Sequence, residues 1–131
     1  MIGKTVGHYR IVARLGSGGM GEVFLAEDAR LARKAAVKFL PKEMAANTDL
    51  HQRFFKEARA ASALNHPNVC VVYDVGETDE GLPFIAMEFV EGESLDVAIG
   101  QGPLEIAETV EIAVQVADAL DAAHSARIVH R

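Results

Sequence analysis

The feature that most limits how this chain can fold is a cluster of glycines at positions 16, 18, 19 and 21. On either side, residues Tyr9 to Leu15 and Glu22 to Ala26 alternate between apolar and polar, as half-buried strands do. Two strands joined by a glycine-rich turn predict a β-hairpin. Glycines there would let the backbone approach phosphate oxygens, but they equally suit a tight turn without a ligand, and this segment alone leaves both interpretations open.

The glycines are spaced as G-x-G-x-x-G, which also occurs in dinucleotide-binding folds. That kind of site needs the glycines between a strand and a helix, with an acidic residue about 20 positions later. Here a strand pattern follows the glycines, so a dinucleotide site is excluded.

The rest of the first 91 residues predicts an α+β fold, a five-stranded antiparallel sheet with one packed helix. A third strand is expected from Ala35 to Leu40, because Pro41 closes this apolar run. Capping side chains at 47–49 and apolar residues at three- and four-residue spacing predict a helix from Asp49 to Leu64. Two further strands are expected from Val69 to Val75 and from Phe84 to Phe89.

From Gly92 onward the pattern becomes helical. Ser94 can cap a short helix that reaches Ile99, and a long helix is expected from Glu105 to Ser125. Apolar residues surround much of the long helix, which is typical of a helix inside a larger body. For the 131 residues alone, we therefore expect a large exposed apolar patch and either poor solubility or a protein partner.

Composition narrows the class of protein. The net charge is −6, with +5 over residues 1–60 and −11 over residues 61–131. A nucleic-acid binder would show a basic stripe with aromatic residues between, so nucleic acid is not an expected partner.

The chain has no membrane segment or signal-peptide pattern, which favours a cytoplasmic location, although anchoring of a longer parent stays open. The single cysteine, Cys70, is expected to be a buried, inert thiol.

Two charged residues stand out within apolar surroundings. Lys38 lies in the third strand and would ordinarily point to solvent, but its position 17 residues after Gly21 would let an ammonium reach phosphates beneath the glycine turn. Glu57 lies on the first long helix and would ordinarily be a surface group. If Glu57 faced the sheet instead, it could pair with Lys38 and fix the direction of the lysine.

Together these residues resemble the protein kinase family, and the resemblance covers the whole chain. Residues 15–23 are similar to the glycine-rich loop, 35–38 to the V-A-I-K strand, and 128–131 to the start of the H-R-D-L-x-x-x-N catalytic loop. Glu57 matches the glutamate of helix αC that pairs with the lysine. The amino-acid sequence at positions 18–21 and 64–68 is most similar to that of bacterial serine/threonine kinases. The resemblance implies a kinase N-lobe and hinge at 1–91, with helices αD and αE of an incomplete C-lobe at 92–131.

The resemblance also implies the site residues. ATP would be the nucleotide and a protein the phosphate acceptor, with Lys38 and Glu57 as the catalytic pair. The implied nucleotide contacts are Leu15, Gly16, Gly18, Gly21, Val23, Ala36, Lys38, Cys70, the gatekeeper Met87, and Glu88 and Val90 of the hinge. Ser94 matches a ribose-contacting position but equally suits a helix cap. His130 would be structural rather than a base.

The chain departs from the family pattern after Arg131. The catalytic Asp, the Asn and the Asp of D-F-G would follow this position, so Mg²⁺ ligands are expected beyond the 131 residues and none within them. We therefore expect these residues alone to be inactive. One hypothesis is a fragment of an active kinase; a second is a non-catalytic interaction module that uses the exposed αE helix; a third is residual nucleotide binding without catalysis.

Overall fold

The computed structural model describes residues 1–18 and 21–130, so Gly19 and Met20 of the glycine turn and Arg131 of the terminal His-Arg pair lie outside the described residues. The chain divides into two compact units. The first comprises residues 1–63 and 71–89, and the second comprises 64–70 and 90–131. Within the part of the chain described, none of the helices has the length and apolar character needed to cross a bilayer.

The first unit is built on one antiparallel sheet, in which the described residues form six strands in the order β1-β2-β3-β4-β6-β5. The strands are β1 (Thr5–Val6), β2 (Tyr9–Gly18), β3 (Gly21–Asp28), β4 (Arg33–Phe39), β5 (Val72–Glu77) and β6 (Pro83–Glu88). The five predicted strands are therefore confirmed, and β1 adds a sixth that pairs with β2. A strand of two residues is too short to show a period, so alternation could not reveal it.

One face of this sheet carries the hydrophobic core. Side chains alternate between the two faces of a strand, so every second residue of β3, β4 and β6 points to the same side, as do Tyr9 and Ile11 of β2 before its first register shift. The buried cluster consists of Val6, Tyr9, Ile11, Phe24, Ala26, Ala35, Val37, Phe39, Phe84 and Ala86. Its aromatic rings meet edge-on, with 5.7 Å between the ring centroids of Phe24 and Phe39, an arrangement that aromatic quadrupoles favour.

Two helices connect β4 to β5. The short helix α1 (Lys42–Ala45) was not predicted, because four residues hold little more than one turn. Helix α2 (Thr48–Ser62) is the predicted long helix, and the side chain of Asn47 caps it by accepting from the backbone N–H groups of Asp49 and Leu50. Helix α2 packs against β5 and α1.

The second unit contains helices α3 (Leu95–Gly100) and α4 (Ile106–Ser125). The amide of Asn68 donates to the carbonyl of Gln115 on α4 at 3.3 Å, and Nε2 of His66 lies 3.3 Å from Oδ2 of Asp118 on the same helix. These contacts hold residues 66–68 against α4. They explain why β5 begins at Val72 rather than at the predicted Val69.

Helix α4 keeps much of its apolar surface exposed. Ile106 is 84% exposed, Val110 55% and Val114 62%, whereas Ala123 is the buried residue of this helix. The predicted exposed apolar patch is therefore present on α4 among the described residues.

Asp28 closes the turn between β3 and β4 from a buried position. Its Oδ1 accepts from the backbone N–H groups of Arg30 at 2.9 Å and Leu31 at 3.1 Å. The side chains of Arg33 and His8 lie 3.5 Å and 3.6 Å from the carboxylate. Burial alone would raise the pKa of Asp28, but the hydrogen bonds from Leu31 and Arg30 and the two basic side chains outweigh burial. They hold the pKa below its ordinary value of 3.8.

This lowered pKa predicts how acid destabilises the fold. Ionised Asp28 stabilises the folded chain above the unfolded-state pKa of about 3.9, and that stabilisation is lost as the pH falls from there towards the folded-state pKa. We expect Asp28→Asn to melt at a lower temperature than the parent near neutral pH and to lose less stability on acidification. Thermal unfolding followed by circular dichroism at a series of pH values measures both effects.

Glu80→Gln is the matched control, because this carboxylate is 75% exposed and lies 4.0 Å from Lys4, whose side chain is 65% exposed. An exposed pair of this kind contributes about 0–1 kcal/mol, so the control should follow the parent. A pH dependence of the melting temperature that is the same in Asp28→Asn and the parent would contradict the role given to Asp28.

Candidate functional site

The register of three strands gathers the main candidate residues on one face of the sheet. Val23 of β3 lies directly opposite Lys38 of β4, and Ala36 of β4 lies directly opposite Met87 of β6. Directly opposed residues of an antiparallel pair point to the same face, as do residues two apart on one strand. Val23, Ala36, Lys38 and Met87 therefore share the face away from the aromatic core, which we call the lysine face. Gly16 of β2 pairs with Val23 and borders this face.

The lysine face is partly open and mostly apolar. Val23, Lys38 and Met87 are half-buried, and Ala36 is buried. Leu15, beside Gly16 on β2, is 45% exposed. The apolar side chains of Val23, Ala36 and Met87 beside the ammonium of Lys38 suit a ligand that has a flat apolar part and an anionic part.

Two glycines of the hairpin differ in how much space the fold leaves for a side chain. A Cβ added to Gly21 would lie 2.0 Å from the carbonyl oxygen of Phe39, and its φ of +115° is one that side chains rarely adopt. The fold itself therefore requires glycine at 21. A Cβ on Gly16 would meet nothing within 4 Å, so packing within the described residues does not require glycine there. Gly18 pairs with Gly21 across the hairpin.

The structure does not bring Glu57 to Lys38. The carboxylate of Glu57 accepts a hydrogen bond from Nε of Arg53 at 3.0 Å, one turn earlier on α2. Among the described residues, the ion pairs within 4.0 Å do not include one between Lys38 and Glu57, and the catalytic role of this pair stays a prediction. Arg53 was missed by the sequence reasoning, although its spacing of four residues from Glu57 is the signal that could have found it.

The predicted hinge begins at the end of β6. The backbone N–H of Glu88 donates to the carbonyl of Val71 at 2.8 Å, and a carboxylate oxygen of Glu88 accepts from the N–H of Val71 at 3.2 Å. The backbone N–H of Glu88 is therefore already hydrogen-bonded to Val71, the residue before β5.

Three of the predicted nucleotide contacts, Cys70, Val90 and Ser94, belong to the second unit. Ser94 precedes α3 at its N-cap position but makes no capping hydrogen bond with its side chain. Its hydroxyl hydrogen-bonds Asp96 instead and, with the amide of Val97, holds the pKa of that carboxyl below its ordinary value. Val90 is 67% exposed.

The expectation that Cys70 is buried is wrong, because the residue is exposed. Cys70 precedes β5 and follows the turn in which Val69 donates to the carbonyl of His66. Strand alternation therefore does not govern where its side chain lies. Its predicted place in the wall of a nucleotide pocket stays a prediction.

Comparison with known proteins identifies the family. The family model described as "Protein kinase domain" matches residues 9–131. The chain belongs to the protein kinase family. It is 43% identical over 133 residues to the serine/threonine-protein kinase PrkC of Bacillus subtilis, covering 100% of this chain and 20% of PrkC. It is 42% identical over 127 residues to the serine/threonine-protein kinase PknB of Mycobacterium leprae, covering 94% of this chain and 20% of PknB.

Solved structures agree in fold. The chain superposes on the crystal structure of the Mycobacterium tuberculosis PknI kinase domain with a TM-score of 0.89 and 35% sequence identity, covering 100% of this chain and 53% of that one. The fold is therefore that of a kinase N-lobe with the start of a C-lobe. The chain spans about a fifth of the length of the curated relatives and about half of the solved kinase domain.

The two glycines of the hairpin give a matched test of stability. We expect Gly21→Ala to destabilise the chain by about 1–3 kcal/mol, because the residue must hold an unfavourable φ and displace a backbone carbonyl. Gly16→Ala should change stability by about 0.5 kcal/mol or less, because the added methyl group meets no neighbour. Urea unfolding of the two variants beside the parent measures this difference, and equal midpoints for the variants would contradict it.

Proposed function

We propose that this chain provides the ATP-binding part of a serine/threonine protein kinase. The observation that carries the proposal is that Lys38 stands half-buried on the lysine face with Val23, Ala36 and Met87, at the edge formed by the glycine hairpin. An ammonium held beside apolar side chains can bind the phosphates while the base rests on the apolar surface. The names of the relatives support the serine/threonine class.

The residues fit ATP. In the proposal, the side chains of Leu15, Val23, Ala36 and Met87 pack against adenine, and the hinge backbone at Glu88 and Val90 hydrogen-bonds the base. Lys38 and the backbone of Gly16, Gly18 and Gly21 contact the phosphates. Because the fold leaves space at Gly16, a phosphate oxygen can approach the backbone there without a side chain in the way. When bound, ATP supplies the phosphoryl group that a kinase transfers to a protein Ser or Thr hydroxyl. The proposal assigns no Mg²⁺ ligand among the 131 residues.

A strand is a suitable place for the phosphate-binding charge. The strand that carries Lys38, β4, is hydrogen-bonded to β3 on one side and to β6 on the other. The backbone at Lys38 is therefore fixed. The side chain itself remains flexible, and a carboxylate partner such as Glu57 would limit its directions. The same proposal divides the chain into an ATP-binding N-lobe with its hinge at 1–91 and the start of a C-lobe at 92–131.

Removal of the ammonium is the direct test. We expect the 131-residue chain to bind ATP in the presence of Mg²⁺ with a dissociation constant of about 1 mM or weaker, roughly −4 kcal/mol. Lys38→Met should weaken binding at least tenfold, since a hydrogen bond to a charged group contributes about 1.5–3 kcal/mol. Titration with MgATP followed by NMR chemical shifts measures both constants.

Lys42→Met is the control, because it removes the same charge from an exposed position on α1. A general loss of positive charge would weaken ATP binding in both variants alike. That result would contradict a specific phosphate-binding role for Lys38, and so would unaltered binding by Lys38→Met.

A second candidate function is a non-catalytic interaction module in which α4 docks another protein surface. The observation that favours it is the exposed apolar surface of α4, which includes Val110 and Val114 one turn apart. Contiguous exposed apolar surface often marks a protein interaction site. We expect the parent chain to self-associate as its concentration rises, and Val114→Glu to remain monomeric in analytical ultracentrifugation. Gln115→Glu adds the same charge beside the valines and should behave like the parent. A parent chain that stays monomeric and retains no specific partner in a pull-down would contradict this candidate.

A further inference from the structure

Helix α2 lies on the lysine face of the sheet. Lys38 is directly opposite Ile85 of β6, and Ile85 is directly opposite Val75 of β5. Glu77, two residues after Val75, points to the same face. Nε2 of His51 on α2 lies 3.0 Å from Oε1 of Glu77. The helix that carries Glu57 therefore approaches the sheet from the side on which Lys38 lies.

The rotation of α2 about its own axis places Glu57 at the margin of this contact. Ala58 is the buried residue of α2 and marks the side that faces the sheet. With 3.6 residues per turn, Glu57 lies about 100° around the helix from Ala58, and Arg53 lies about 140° around it in the same direction. Their side chains are 64% and 50% exposed. The hydrogen bond to Arg53 thus holds the carboxylate of Glu57 on the solvent side of the helix.

We propose that Arg53 is a positioning residue, which competes with Lys38 for the carboxylate of Glu57. The inference rests on the proposed function, in which Lys38 and Glu57 act as a pair. Nζ of Lys38 has no carboxylate within 4.0 Å in the part of the chain described, whereas Glu57 already has Arg53 at 3.0 Å. A carboxylate that turns towards the sheet must leave one cation to reach the other.

The competition is weak enough to be reversible. Exposed ion pairs four residues apart on a helix stabilise it only slightly, and a cation that precedes the anion is in the less favourable order. The loss of Arg53 should therefore change the population in which Glu57 is within reach of Lys38 by about twofold, not by orders of magnitude. Arg53 acts by position alone and needs no contact with the nucleotide.

Carbodiimide cross-linking measures this population without any need for activity. The reagent activates a carboxylate, which forms an amide bond with an amine in contact with it, and peptide mass spectrometry quantifies the Lys38–Glu57 product. We expect Arg53→Gln to give about twice the yield of the parent chain. Glu57→Gln should abolish the product, which confirms its identity.

Arg59→Gln is the matched control. Arg59 is an exposed arginine on the same helix, but residues two apart do not face each other, so its removal should leave the yield unchanged. An equal rise in both arginine variants would mean that α2 has loosened generally, and it would overturn the inference. Equal yields in the parent and Arg53→Gln would overturn it and leave the Lys38–Glu57 pairing intact. If none of the variants forms the product, the pairing in the proposed function fails as well.

Discussion

The register of β3, β4 and β6 is the constraint on which both the core and the candidate site depend. In this register Val37 enters the aromatic core and Lys38 points to the other face. A slip of β4 by one residue would reverse its faces, placing the ammonium of Lys38 against Phe24 and Phe84 and removing Val37 and Phe39 from the core. Burial of an unpaired charge costs far more than any gain from the slip. The aromatic core therefore fixes the lysine as firmly as it fixes the sheet, and the site needs no separate device to orient that strand.

Much of this architecture could be predicted from the sequence because its elements have clear periods and ends. Alternation located the hairpin, the apolar run closed by Pro41 located β4, and Asn47 with apolar residues at helical spacing located α2. The elements that escaped prediction are short or depend on distant residues. Neither the two residues of β1 nor the four of α1 show a period. The start of β5 depends on contacts between residues 66–68 and α4, about 50 positions later in the chain, which local patterns do not contain.

The candidate site divides in the same way. Val23, Ala36, Lys38 and Met87 share a face through the register of β3, β4 and β6, whereas their grouping was predicted from the resemblance to protein kinases and not from a local pattern. The structure pairs Glu57 with Arg53, which the sequence analysis did not consider. Arg53 lies one turn away on the same helix and contacts Glu57 at 3.0 Å, whereas Lys38 lies on a different element and can meet Glu57 only through tertiary packing. Local contacts of this kind form without tertiary packing and therefore compete well with it.

The glycine motif shows how one sequence pattern can combine two physical requirements. Gly21 is required by the fold, because its backbone passes so close to the carbonyl of Phe39 that any side chain would displace it. Phe39 directly follows Lys38 on β4, so this contact joins the end of the glycine hairpin to the strand that carries the ammonium. Gly16 has no such neighbour within 4 Å, so packing among the described residues does not explain its small size. The hairpin is thus held against the lysine strand at one glycine and left open at another, and in the proposed function the open glycine is where a phosphate would approach.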